Sequence, residues 1–290
     1  METIRLGLDG KTITCHLLNK KDETGVNHII KELKIDTTQR NHLIEKQRSN
    51  VIDFNKYSKI TMIYPTRKTE ERITMTQITF IITHNKLAVI TSEDSEMITK
   101  AFNELKTVNV KNSTQALSKI INSIREQSIH LFDGFEEYLN NKNKNINNGR
   151  LNPRENHKMR DLYGLFFSMI LTLKGNSEVI TELLEGKIKF IKPAEFGEQQ
   201  DDRSLYQLEL IQVLTELIKN NLDNYDARIT ERLNKQIYTL TILGAVLIVP
   251  TILSGYFGMN VNLPGIEFWE IVLVSAVLSL IAFLIMRKMK

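Results

Sequence analysis

The 290-residue sequence contains a single cysteine, Cys15, so no disulfide can form within the chain. A lone cysteine gives no reason to place the protein in an oxidising compartment. The amino terminus, residues 1–5, lacks the basic start and apolar core of a signal peptide. We therefore expect the large amino-terminal part to stay inside the cell.

Motifs for enzymatic chemistry are also missing. The sequence shows no Gly-rich phosphate loop, no Cys/His metal spacing, no nucleophile elbow and no acid–base constellation. The net charge of +4 is small for this length, and no basic block with interleaved aromatic residues indicates nucleic-acid binding. We expect neither an enzyme nor a nucleic-acid-binding protein.

Charged residues are absent between Lys235 and Glu267, although they make up 25% of the whole chain. Within this stretch, residues 237–257 are apolar and numerous enough to cross a bilayer as a helix. A second apolar run, residues 268–286, follows after a short connection. The two runs predict a hairpin of two membrane-spanning helices.

The distribution of basic residues predicts the orientation of this hairpin. Lys and Arg occur before the first span and after the second, and the connection at residues 258–266 has none. Because Lys and Arg remain on the cytoplasmic side, we expect both termini inside and the connection outside. The flanking residues are Arg228, Arg232, Lys235, Arg287, Lys288 and Lys290. A multi-pass protein of the plasma membrane, in contact with lipid, is expected.

Residues 1–112 are predicted to form a cytoplasmic α/β domain. Apolar runs at residues 4–8 and 12–17 flank Asp9-Gly10, a strong β-hairpin signal. Further β-rich runs occupy residues 59–64, 73–83 and 87–91, and helical spacing occurs at residues 27–33, 37–48 and 95–105. This alternation predicts a sheet with helices packed on it.

Residues 113–200 are predicted to form a cytoplasmic helical region. Within it, the Asn- and Lys-rich residues 140–149 are expected to form a solvated turn between long helices. An amphipathic helix is expected over residues 156–173, ended by Gly175-Asn176, with Ser177 capping a further short helix.

A long helix free of Pro and Gly begins near Asp202 and continues into the first span as far as Gly244. Its apolar stripe, at spacings of three and four, is Leu208, Ile211, Leu214, Ile218, Leu222, Tyr225, Ile229 and Leu233. Such a stripe is too long for one compact domain, so we expect a stalk that packs on other helices, most simply its own copies. The predicted divisions are stalk and first span 201–257, loop 258–267, second span 268–286 and basic tail 287–290.

A second seam follows the same helix in another register and is mostly polar or small. It comprises Glu216, Asn220, Asp223, Ala227, Thr230, Asn234, Ile237, Thr241, Gly244, Ile248 and Thr251. Polar side chains at membrane depth tend to face a bundle interior or a water path. The alternative is that the small residues are ordinary contacts between packed spans. Pro250 is expected to kink or loosen the span near its outer end.

The first span ends in Gly258-Met259-Asn260, and a short loop and a basic-tailed second span follow. In this position the motif resembles that of the CorA-type magnesium transporters, over about residues 205–290. The resemblance implies an α+β membrane protein with a cytoplasmic α/β domain, a helical stalk and two C-terminal transmembrane helices. It also implies a homopentamer in which the first spans line a central pore and the second spans surround them.

The resemblance assigns roles residue by residue. Asn260 matches the Asn ring of the outer selectivity site, and Gly258 shapes its turn. Polar pore positions correspond to Thr251, Thr241 and Asn234, apolar constrictions to Ile248 and Ile237, and the acidic ring of the cytoplasmic funnel to Asp223. Gly244 lies on the same seam. The neutral residues 261–265 depart from the acidic loop frequent in the family.

The implied function is uptake of Mg2+ driven by the membrane potential and regulated by intracellular Mg2+, with Co2+ as a further candidate ion. Candidate regulatory carboxylates are Asp201, Asp202, Glu93 and Asp94. An alternative with the same architecture transports Co2+, Ni2+ or Zn2+; Met259 favours magnesium, because the related ZntB branch typically has Ile there. A membrane-anchored sensor or scaffold is the alternative of another class.

Overall fold

The computed structural model of the chain describes residues 1–8, 11–35, 43, 45, 48–69, 72–197, 200–259, 265 and 267–288. The chain forms two compact units: residues 1–144 with 152–222, and residues 145–151 with 223–290. The division of the cytoplasmic part at residues 112 and 200 stays a prediction.

A six-stranded mixed sheet organises the first unit. Its strands are β1 (Glu2–Leu8), β2 (Lys11–Asn19), β3 (Asn50–Asp53), β4 (Ser58–Thr69), β5 (Arg72–Ile82) and β6 (Lys86–Thr91), in the order β1-β2-β6-β5-β4-β3. Strands β2 and β6 are parallel, and the other neighbours are antiparallel. The predicted β1–β2 pairing is confirmed, with Leu8 opposite Lys11. The turn at Asp9-Gly10 lies outside the described residues.

Both faces of the sheet are buried, and this explains the continuous apolar run of residues 87–90 in its inner strand β6. Along β6, Leu87 and Val89 join one core cluster, whereas Ala88 and Ile90 join the other. The second cluster contains helix α1 (Glu23–Glu32), and the first contains α2 (Glu96–Asn103) and α3 (Ser113–His130). The predicted sheet with helices packed on it is confirmed. The helix expected at residues 37–48 falls largely outside the described residues.

The expected solvated turn at residues 140–149 is wrong for most of its length. Helix α4 runs from Phe135 to Asn147, and the chain turns earlier, after α3, at residues 131–134. Gly134 supplies the positive φ of 79° that this turn requires. The Asn-rich stretch remains helical because Leu139 is buried and its carbonyl accepts a 2.9 Å hydrogen bond from Asn221 Nδ2.

The expected break at Gly175-Asn176 is also wrong, because α5 is one helix from Pro153 to Leu184. The Asn176 side chain is buried, and its amide pairs with the backbone of Ile63 in β4: Nδ2 donates to the carbonyl at 2.7 Å and Oδ1 accepts from the N–H at 3.1 Å. Ser49 Oγ also donates to Oδ1, at 2.7 Å. Gly175 permits this approach, since a Cβ there would lie 3.3 Å from Ser49 Cβ. These residues therefore dock α5 on the sheet.

After the short helix α6 (Pro193–Phe196), α7 runs without interruption from Gln200 to Phe257. The first part of its apolar stripe is covered by the same chain: Leu208, Ile211, Leu214 and Ile218 share a core cluster with side chains of α4 and α5, including Leu139 and Phe166. The expectation that the stripe packs most simply on copies of the protein is wrong for this part. Farther along, Leu233 is 51% exposed.

Within the part of the chain that the structure describes, two helices are long and apolar enough to cross a membrane. The first candidate is the span in α7, with a mean hydropathy of 2.1, and the second lies within α8 (Phe268–Lys288), with a mean hydropathy of 2.4. Neither apolar segment is buried within the protein, which distinguishes both from the core helices of a soluble domain.

Replacing Asn176 by Ala should destabilise the first unit. The change leaves the Ile63 N–H and carbonyl without their partner, which should lower the free energy of unfolding by roughly 1–3 kcal/mol. Denaturant titration of the purified protein, followed by circular dichroism, measures this loss. The exposed residue Lys174 on the same helix supplies the control, Lys174→Ala. Equal stability of the two variants would contradict the docking role of Asn176.

Candidate functional site

One face of the first span packs against the second span of the same chain. The partly buried residues of the first span recur at helical spacing: Tyr238, Ile242, Ala245, Val246, Val249, Pro250, Leu253 and Phe257. Those of α8 do the same: Ile271, Ser275, Ser279, Ala282 and Met286. Among the described residues, two hydrogen bonds join the helices: Tyr238 Oη donates to the Met286 carbonyl at 2.7 Å, and Ser279 Oγ to the Val246 carbonyl at 3.1 Å. The spans thus form a closely joined pair.

The polar seam lies on the other side of α7. At about 100° per residue, its centre is roughly 140° from the face that contacts α8. All of its residues assigned to the candidate site are exposed in the single chain: Asp223, Asn234, Ile237, Thr241, Gly244, Ile248 and Thr251. A Cβ built on Gly244 meets nothing within 4 Å. The small residues of the seam are therefore not contacts between the two spans of one chain.

The threonines of the seam present acceptor oxygens. Thr241 Oγ1 donates to the Ile237 carbonyl and Thr251 Oγ1 to the Leu247 carbonyl, each at 2.8 Å. A hydroxyl that donates its single proton to a helix carbonyl can still accept hydrogen bonds through its oxygen lone pairs. Thr239, away from the seam, makes the same bond with the Lys235 carbonyl. The hydroxyl-to-carbonyl bond is therefore common to threonines on both sides of the helix. Thr241 and Thr251 are suited to a cation or its water shell because they lie on the seam.

Basic side chains just before the first span lie away from the seam. Lys235 and Arg228 lie on the opposite side of the helix and both pair with Glu231, at 2.7 Å and 2.9 Å. Hydrogen bonds from Lys235 and then Arg228 hold the pKa of the Glu231 carboxyl below its ordinary value. On the seam itself, Asp223 is an exposed carboxylate. The electrostatics of this face therefore favour cations.

The carboxyl-terminal end of the first span requires glycine at position 258. The Gly258 N–H donates to the Ser254 carbonyl at 2.8 Å, and a Cβ on Gly258 would lie only 2.9 Å from that oxygen. A larger residue would push the turn away from the helix end. Met259 follows, 60% exposed. Asn260 lies outside the described residues, so its predicted role stays a prediction.

The Glu270 carboxylate, beyond the loop that joins the spans, contributes to the start of the second span. Glu270 Oε2 accepts a hydrogen bond from the Glu267 N–H at 3.3 Å, in the first turn of α8. A carboxylate in this position is stabilised by the unpaired N–H groups of a helix N-terminus.

The proposed regulatory carboxylates are only partly brought together. Glu93 and Asp94 line a cavity of ≈ 910 Å³ with the basic residues Lys21, Arg67 and Lys100, and Asn19 Nδ2 donates to Asp94 at 2.7 Å. Within the described part of the chain, no group of three or more His, Cys, Asp or Glu residues is arranged to hold a metal ion.

The other two proposed carboxylates do not complete this site. Asp202 is exposed on α7 and does not line the cavity, and the side chain of Asp201 lies outside the description. A regulatory metal site therefore stays a prediction.

Sequence reasoning missed two features of this region. Gly255, four residues beyond Thr251, continues the seam, and a Cβ built there also meets open space. Its spacing of four residues from Thr251 could have identified it in the sequence as a member of the seam. Ser279 is a contact to the first span that no pattern within α8 indicates, because its partner, the Val246 carbonyl, is a backbone group of α7.

Comparison with known proteins extends over the whole fold. The family model for the CorA-like Mg2+ transporter protein matches residues 15–288. A search of curated protein sequences finds no significant match. The complete structure of the CorA magnesium transporter from Methanocaldococcus jannaschii has a TM-score of 0.81 and 16% identity, covering 100% of this chain and 98% of that one.

Two further structures are similar. The full-length CmaX protein has a TM-score of 0.77 and 15% identity, covering 97% of this chain and 90% of that one. The ZntB cytoplasmic domain from Vibrio parahaemolyticus has a TM-score of 0.54 and 13% identity, covering 77% and 88%. At these identities the structures show a shared fold. Because the family model spans nearly the whole sequence, the chain belongs to the CorA-like Mg2+ transporter family.

Proposed function

We propose that the protein is a channel through which Mg2+ enters the cell, with the exposed seam of α7 as one wall of the pore. The observation that supports this most is the face of polar and small residues from Asp223 to Thr251. The second span of the same chain leaves this face uncovered. A lipid-facing surface would not be expected to carry Thr241 and Thr251 within the span. Such a face would be favourable in contact with water, and copies of the chain arranged around a water-filled path would provide that contact.

Copies of the chain would close the pore, and the family suggests five of them. In this arrangement the first spans face a common axis and the second spans form the outer, lipid-facing ring. Exposed apolar side chains of α8, such as Leu273, Leu280 and Leu284, suit contact with lipid. Both termini would lie in the cytoplasm and Asn260 at the outer mouth, in the plasma membrane.

Selection would act on a hydrated ion. Mg2+ prefers six oxygens in octahedral array and gives up its water reluctantly. A ring of Asn260 amide oxygens would accept hydrogen bonds from that water shell, so the ion need not be stripped. Thr251, Thr241 and Asn234 would continue the polar path. Ile248 and Ile237, 57% and 60% exposed in one chain, would form apolar rings that close the path by dewetting.

The inside-negative potential supplies the driving force. Moving one charge across 100 mV releases about 2.3 kcal/mol, and a divalent ion gains roughly twice that. Intracellular Mg2+ would oppose entry by binding carboxylates and favouring the closed packing of the stalks. Glu93 and Asp94, together with Asp201 and Asp202, are the candidates for that regulatory role.

The nearest competing proposal changes only the ion. The likeness of the cytoplasmic part to a ZntB domain keeps Zn2+ in consideration, with Co2+ and Ni2+. Softer metals are better held by imidazole or thiolate ligands. The seam contains no His or Cys, so its ligand chemistry favours Mg2+. A sensor or scaffold that uses the spans only as an anchor would leave the polar face of α7 without a role.

Replacing Asn260 by Ala should abolish potential-driven Mg2+ uptake in proteoliposomes, because the outer ring of acceptor oxygens is lost. Size-exclusion chromatography should show an unchanged oligomer. Asn262→Ala, the same change two residues away, is the matched control and should retain uptake. The same vesicles, offered Co2+ or Zn2+, identify the preferred ion. Normal Mg2+ flux through Asn260→Ala would overturn the selectivity assignment.

Replacing Asp223 by Asn should lower Mg2+ conductance several-fold at low ionic strength. The effect should shrink with added salt, because the Debye length falls from about 30 Å at 0.01 M to about 10 Å at 0.1 M. Planar-bilayer recordings at the two salt concentrations measure this. Glu231→Gln, which removes a carboxylate away from the seam, should change conductance less. Identical currents from Asp223→Asn and wild type would make Asp223 an ordinary surface charge.

Cysteines introduced on the two faces of the first span should differ in reactivity. Thr241→Cys and Thr251→Cys should react with a water-soluble methanethiosulfonate roughly tenfold faster or more than Ala245→Cys and Leu253→Cys, because the reactive thiolate forms only in contact with water. The native Cys15 gives little background, since burial raises the pKa of its thiol to about 12. Equal rates at all four positions would contradict a water-filled seam.

A further inference from the structure

Pro250 leaves a defect in the hydrogen bonding of the first span. It lies inside α7, which continues to Phe257. Because proline has no N–H, the carbonyl of Val246, four residues earlier, loses its helical donor. Water cannot replace that donor within the hydrocarbon region, where an unsatisfied backbone group costs several kcal/mol. A substitute donor is needed at this point.

The second span supplies that donor. Ser279 Oγ donates to the Val246 carbonyl at 3.1 Å. Between Glu270 and Arg287, only Ser275 and Ser279 carry polar side chains, and both lie on the face of α8 turned toward α7. The partner of Ser279 is the one carbonyl that Pro250 deprives of its bond.

The next carbonyl along the helix, that of Leu247, also accepts a hydrogen bond from a hydroxyl. Thr251 Oγ1, on the seam, donates to the carbonyl of Leu247 at 2.8 Å. Two consecutive carbonyls below the proline ring thus receive side-chain donors, one from the second span and one from the candidate pore face. The arrangement links the position of Thr251 to the contact between the spans.

We propose that Ser279 is a positioning residue that replaces the donor missing at Pro250 and so fixes the outer half of the first span on the second. From Pro250 to Phe257 the helix extends roughly 10 Å, so a swing of roughly 10° would move its outer end by roughly 2 Å. Gly258, Met259 and Asn260 follow directly. The consequence for ion selection rests on the proposed function, whereas the structural role of Ser279 does not.

A double-mutant cycle tests the proposal. In the wild-type background, Ser279→Ala should lower the folded-to-unfolded ratio of the purified oligomer in detergent by roughly 3- to 20-fold, the range known for hydrogen bonds between membrane helices. Pro250→Ala restores the backbone N–H. In that background, Ser279→Ala should have almost no effect, because the helix itself now serves the Val246 carbonyl.

Two further variants separate positioning from general packing. Ser279→Thr keeps the hydroxyl and should retain most of the stability, and Ser275→Ala, one turn earlier on the same face, should change it little. The proposal would be overturned if Ser279→Ala had the same effect on stability in both backgrounds. It would also be overturned if Ser279→Ala had no effect in the wild-type background, where Pro250 is present. If Ser279→Ala alone fails to fold, folding of Pro250→Ala/Ser279→Ala supports the proposal, and failure of both contradicts it.

Flux measurements add a functional readout. Mg2+ influx into proteoliposomes, and its ratio to Co2+ influx, should fall in Ser279→Ala and recover in the Pro250→Ala/Ser279→Ala double variant. Absence of flux in the wild-type protein would refute the proposed function while leaving the stability cycle intact. A changed stability with unchanged flux and ion ratio would refute the positioning role toward the outer mouth.

Discussion

The pairing of α7 with α8 along one face is the constraint on which the rest of the membrane unit depends. It uses the apolar side of α7 between Tyr238 and Phe257, and it is held at two depths by hydroxyl-to-carbonyl bonds from Tyr238 and Ser279. Because the second span of the same chain packs on that side, the polar seam on the other side remains exposed. An exposed polar seam would be unfavourable against lipid, and the proposed pore would cover it with copies of the same chain.

Along its length, α7 carries two kinds of surface that serve different purposes. Up to Ile218 its apolar stripe is buried against α4 and α5 of the same chain, and the Asn221 amide fixes the end of this contact. The seam, which is exposed already at Glu216 and Asn220, remains exposed from Asp223 to Thr251. A single helix can therefore be rigidly held by its own domain at one end and offer an interaction surface at the other.

Periodicity predicted the main elements because it depends only on local geometry: the hairpin of β1 and β2, the long helix and the two spans are all found. The errors occur where a tertiary contact overrides a local signal. Gly175-Asn176 is typical of a helix end, yet the Asn176 amide pairs with the backbone of β4, and the helix continues. Residues 140–147 are polar enough for a turn, yet buried Leu139 keeps them helical. Ser279 could not be assigned, because the need for it arises in another helix, at Pro250.

The separation of charges around α7 explains how one helix end satisfies two opposing requirements. Arg228, Arg232 and Lys235 at the inner boundary favour the cytoplasmic orientation of this end. The same positive charges inside a cation pathway would repel the ion, by several kcal/mol per close pair at an effective dielectric constant of about 20. The helical register places them opposite the seam, where Glu231 neutralises part of their charge. Asp223 and Asn234 remain on the seam, so the basic residues that predict the orientation and the proposed cation path coexist within a few turns.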